Sequence, residues 1–158
     1  MKNLTIIFLL FLAVIFSRNT YAQLVQNRSL SLVAAKKIAQ EAAKYAKEHQ
    51  APGGTIAIVD AGGHLLYLER LDGSFPASAM VAYEKAKTAA TFRFESKKLE
   101  DAILSGRTSL ITVGPVMLQG GVPVIVDGEV VGAIGVSGAK SADQDREIAL
   151  AGAGVKLD

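Results

Sequence analysis

The sequence predicts an α/β fold of the α+β type, in which an antiparallel sheet built from two hairpins is flanked by helices. Two kinds of observation predict it. Two pairs of β-rich runs are each joined by a short glycine-containing turn. Three stretches with apolar residues at three- and four-residue steps surround those pairs. Hairpins separated by helices cannot build an all-parallel sheet, so the sheet is antiparallel with helices on its faces.

The elements follow in order. Residues 23 to 30 read as an unanchored leader. From Ser31, the expected N-cap, Leu32, Ala35, Ile38, Ala39, Ala42, Ala43 and Ala46 mark a helix. Pro52-Gly53-Gly54 ends it. Strands are expected at 55–59 and 65–69, around the turn Asp60-Ala61-Gly62-Gly63. Pro76 opens a second helix, with Ala79, Tyr83, Ala86, Ala90 and Phe94 as its apolar stripe. Its many small residues imply close packing on something flat. Residues 97–106 suggest a short amphipathic helix, and residues 107–119 carry no readable pattern. The second hairpin runs over 122–126 and 130–136 around Asp127-Gly128. Ser141 begins the last helix, whose Asp143 and Asp145 suit the positive end of its dipole.

The chain is expected to be exported. Lys2 precedes an apolar run over residues 4–16, and Thr20 and Ala22 are small residues suited to a signal-peptidase site before Gln23. The run is shorter than the roughly 20 residues of a spanning helix, so no stable membrane anchor is expected. Cleavage removes 22 of 158 residues and leaves 136, enough for one domain, residues 23–158. It also removes Lys2 and Arg18, so the remaining 15 Lys and Arg balance 15 Asp and Glu. A neutral chain exerts no long-range pull on nucleic acid or anionic lipid. With no cysteine there are no disulfides, thiolate metal sites or lipid-anchoring cysteine. Stability must come from aliphatic burial, with self-association to a homo-oligomer as a further source.

Few residues offer chemistry. Gly62-Gly63 lacks the following helix and Lys-Ser/Thr pair of a phosphate loop. No G-x-S-x-G motif supports a catalytic triad, and no catalytic residue is assigned. Lys85 and Thr88 stand three apart on the second helix and share a face that can line a cleft. Gly120-Gly121 admits either close backbone approach to a ligand or a simple strand entry. His49 and His64 are the only histidines and the candidates for a metal ligand.

Three blocks, in this order, resemble the GlcG/HbpS family, which includes haem-binding proteins and the C-terminal domain of PduO-type proteins. They are Ala57 to Leu66 continuing through Arg70-Leu-Asp-Gly73, Glu84 to Phe92, and Gly120 to Gly128 continuing through Val131 to Gly138. With the 143–152 helix they span nearly the whole mature chain. The resemblance implies a profilin-like fold, homo-oligomers and, in some members, haem or iron binding. It makes Thr112, in the segment before Gly120, a candidate axial ligand. The leading expectation is therefore an exported, periplasmic or secreted protein that binds a small ligand, with haem as the best single choice. Arg70, Lys85 or Arg93 would meet the propionates, and Thr112, His64, His49 or a Tyr would ligate the iron. Two other classes stay open. One is an enzyme or accessory protein for a small carboxylate metabolite, using Lys85 and the Gly120-Gly121 amides. The other is a structural or sensor-accessory oligomer. The intact mass of exported material should correspond to a chain beginning at Gln23. Recovery of residues 1–22 on protein in the membrane fraction would contradict this.

Overall fold

The computed structural model describes residues 27–157. The expected signal segment and its cut lie outside them. The described order is α1 (Leu32–Glu48), β1 (Thr55–Asp60), β2 (Leu65–Arg70), α2 (Ser78–Phe92), α3 (Lys97–Leu104), a 3-10 segment (Thr108–Val113), β3 (Gly121–Val126), β4 (Glu129–Ser137) and α4 (Ala142–Ala153). The four strands form one antiparallel sheet ordered β2-β1-β4-β3, so each hairpin supplies one edge strand. The mixed α and β fold with an antiparallel, helix-flanked sheet is the one the sequence predicts.

Local chemistry accounts for the element ends. The Ser31 hydroxyl accepts from the Ala34 amide and caps α1, and Ser141 caps α4 through the Gln144 amide. Asp127 and Gly128 both take positive φ, 51° and 81°, as a two-residue turn between twisted strands requires. Pro76 does not open α2 but lies two residues ahead of its first residue, Ser78. Residues 28–30 are not a free leader. Leu30 is buried, its amide donates to Val131 O at 2.8 Å, and Arg28 pairs with Asp127 at 2.7 Å. A single leucine beside a β4 residue leaves no periodic trace in sequence, which is why this anchor was unreadable.

The two sheet faces differ in kind. One carries Ile56, Ile58, Val122, Val124, Ile134 and Val136, which pack with Ile38 of α1 and Ile148 of α4. The other presents Ala57, Val59 and Ala133 to Ala82, Ala86, Ala89 and Ala90 of α2. The buried stripe of α2 is thus rotated from the expected one: Ala79 and Tyr83 are only partly buried. Helix and sheet meet almost backbone to backbone. A Cβ on Gly135 would overlap Ala82 O and lie 2.5 Å from Ala86 N, and a Cβ on Gly121 would overlap Lys85 O. A face this shallow has no room for added volume. Gly135→Ala is expected to cost about 1–3 kcal/mol, the usual range for overpacking. In urea denaturation this appears as a lower midpoint with an unchanged slope.

Candidate functional site

The sequence-predicted residues separate into three places. The first is internal. Lys85 leaves α2 beside the β3 entry and passes Gly120 to reach α4. Its Nζ donates to Asp145 Oδ2 at 2.9 Å and to Val136 O at 3.0 Å. Both side chains are over nine-tenths buried. The other Asp145 oxygen accepts from the Ala139 amide at 2.9 Å. Gly120, at φ 117°, makes the passage possible, because a Cβ there would lie 3.0 Å from Lys85 Nζ and 3.2 Å from Asp145 Cβ. The Gly121 amide donates to Ser96 Oγ at 2.9 Å. Lys85, Gly120 and Gly121 therefore do converge. The close approach the glycines permit is to α2 and to an ion pair, and every donor named here is already occupied.

Around this pair the loop between α2 and β3 is tied to α4. Gln119 donates to Asp143 at 2.6 Å and Arg146 to Glu95 at 2.6 Å, while the Gln119 amide donates to Glu100 at 3.0 Å. Asp145 was readable in one respect. It stands three and four residues before Ile148 and Ala149, on the buried face of α4. An acid at that spacing needs an internal cation.

The second place is a cleft of about 370 Å3 on the outer side of α2, lined by Thr88, Thr91, Phe92, Val113 and Pro115, with Glu84 and Lys87 also in its wall. Thr88 is buried, and its hydroxyl lies 2.9 Å from Glu84 O and 3.0 Å from Val116 O, so it joins α2 to the 107–119 segment. Thr112 neighbours the cleft residue Val113, and its hydroxyl donates to Ser109 O at 2.8 Å. The 3-10 segment buries none of its residues. Leu104, Ile111, Val113 and Leu118 are 80, 66, 57 and 46% exposed.

The third place is polar. His64 precedes β2 with its side chain exposed, and its Nδ1 lies 3.1 Å from both Asp60 oxygens. Burial of Asp60 works to raise its pKa. Hydrogen bonds from the His64 amide, the His64 ring and the Gly62 amide outweigh this and hold the carboxyl below its ordinary value. The remaining predicted residues stand apart. Arg70 is exposed at the far end of β2, paired in register with Thr55. His49 ends α1, where it stacks on Tyr45 and places Nδ1 2.9 Å from Tyr45 O. Among the described residues no group of three or more His, Cys, Asp or Glu is placed to hold a metal ion, and no helix is long and apolar enough to cross a membrane.

The HbpS-like family, described as haem-degrading HbpS-like proteins, matches residues 30–154. The chain belongs to the HbpS-like family. Protein GlcG of Escherichia coli is 49% identical over 85 residues, which is 52% of this chain and 63% of GlcG. The match thus spans less than two thirds of that relative. A double mutant of Streptomyces reticuli HbpS superposes with a TM-score of 0.76 at 36% identity, over 84% of this chain and 90% of that one. A PduOC:haem complex superposes with a TM-score of 0.69 at 28% identity, over 79% and 93% of the two chains.

The internal pair carries its own test. Removing one partner of a buried ion pair costs about 3–5 kcal/mol, because the other charge stays buried and unpaired. Lys85→Met and Asp145→Leu are each expected to lose stability in that range. The double variant should lose far less than the two singles summed, as a double-mutant cycle in denaturant would measure.

Proposed function

We propose that this HbpS-like protein binds haem against the outer face of α2 and the 104–118 segment. The observation that carries the reading is the cleft lined by Phe92, Val113 and Pro115, in a segment that also exposes Leu104, Ile111 and Leu118. Haem is flat and apolar with two carboxylates at one edge. The apolar set suits its face, and Lys87 on the cleft wall suits a propionate. Its partner there, Glu84, is 3.8 Å away and partly exposed, so the lysine is only loosely held. Thr112, next to the cleft residue Val113, is the ligand candidate on this side of the molecule, whereas His64 lines a separate pocket. Haem would supply an iron centre and a strong visible chromophore; the chain would supply the apolar bed, the cation and the ligand. The family description and the haem complex of the related PduOC support the same choice.

Export and self-association belong to the same proposal. The buried alanines of α2 are consumed by its own sheet. A second copy would therefore meet the chain elsewhere, and the exposed Leu32 and Val33 of α1 offer apolar contact.

A hemin titration followed at the Soret band tests the haem reading. Wild type is expected to bind saturably. Val113→Asp should weaken binding by roughly tenfold or more, since a charge would then face the porphyrin. Absence of a saturable Soret change in wild type would contradict the reading.

A further inference from the structure

On the other side of the α2 C-terminus lies a separate pocket of about 350 Å3 that shares no lining residue with the haem cleft. Arg28, Asp60, His64, Arg93 and Glu129 give it its chemistry. Three features single it out. Asp60 holds the His64 ring through Nδ1, and in the neutral ring this leaves Nε2 as the nitrogen that accepts a hydrogen bond. Arg93 takes the left-handed conformation that ends α2, φ 61° and ψ 28°, where glycine or asparagine is the easier residue. No hydrogen bond or ion pair holds the Arg93 guanidinium among the described residues. The Glu129 carboxylate likewise makes no hydrogen bond among the described residues, and acts on Arg28 only through longer-range attraction. Arg28 itself is committed to Asp127.

The pocket thus offers one uncommitted cation, one uncommitted carboxylate and one acceptor nitrogen. These are complementary to a single small zwitterion. We propose that it binds an α-amino carboxylate, with the carboxylate on Arg93 and the ammonium between Glu129 and His64 Nε2. A guanidinium presents paired donors that match a carboxylate, which a plain lysine would not. Glu129 selects an ammonium over a hydroxyl on the neighbouring carbon. The volume lies at the small end of the range for ligand sites, which suits a metabolite and not a macrocycle.

Three isosteric probes isolate these terms: L-2-aminobutyrate, L-2-hydroxybutyrate and butyrate, each titrated into the mature chain. The readouts are the His64 ring signals and the Gly62 and Arg93 amide signals in NMR. Aminobutyrate is expected to shift them saturably, with the hydroxy acid weaker and butyrate weakest. Arg93→Asn keeps a residue that tolerates the left-handed conformation and removes the charge, and Glu129→Gln removes the acid. Each should weaken aminobutyrate by about tenfold or more, the effect of losing one charge-assisted hydrogen bond. No saturable shift with aminobutyrate, butyrate or hydroxybutyrate binding as tightly as aminobutyrate, or indifference to both substitutions would overturn the proposal. Hemin binding reads a different set of residues, so failure here leaves the haem reading standing and the reverse also holds.

Discussion

α2 lies closer to its sheet than side chains normally permit, because glycine and alanine line both sides of the contact. Gly121 and Gly135 receive the backbone of α2 directly, and Ala82, Ala86 and Ala89 fill the rest. Several features depend on that closeness. A helix held this near the sheet brings Lys85 within reach of α4 on the far side of the β3 entry, where Asp145 neutralises it. The pair spans the sheet edge and ties two helical layers together. A buried ion pair adds little net stability, since desolvation offsets attraction. Its physical role is positional: it fixes how α2 and the segment leading into β3 sit relative to α4. The cleft is lined by Thr88, Thr91 and Phe92 from the C-terminal half of α2, and the polar pocket by Arg93 just after it.

The fold was legible because its signals are local. Asp127-Gly128 and the Gly62-Gly63 turn define hairpins within a few residues, and Ser31 and Ser141 mark helix starts by their own hydrogen bonds. The candidate site was legible only in part. The sequence brought Lys85 together with Gly120 and Gly121, and the structure does so too. What sequence could not give was the sign of the environment. A lysine on an alanine-rich helix reads equally as a ligand anchor or as half of an internal pair, and Asp145 lies 60 residues away. The 107–119 segment was unreadable for a different reason. Its 3-10 turn buries nothing, so no periodicity is imposed on it, yet its exposed apolar residues carry the proposed ligand surface.

Two surfaces with opposite chemistry follow from these positions. The apolar one suits a flat ligand and agrees with membership of the HbpS-like family. The polar one, built on the His64–Asp60 pair and Arg93, suits a small charged molecule. Both border the C-terminal turns of α2, and the β1–β2 turn that carries Gly63 packs against Lys87 and Thr91 of that same helix. A ligand at one surface therefore touches the element that shapes the other, although their lining residues are distinct.

The central claim is that Lys85 is spent inside the protein and that haem is met on the outer face of α2. A crystal structure of the protein loaded with hemin tests it most directly. The account predicts a porphyrin lying on Ile111, Val113 and Phe92 while Lys85 Nζ stays on Asp145 and Val136 O. A structure in which Lys85 had left Asp145 to bind a propionate would contradict it.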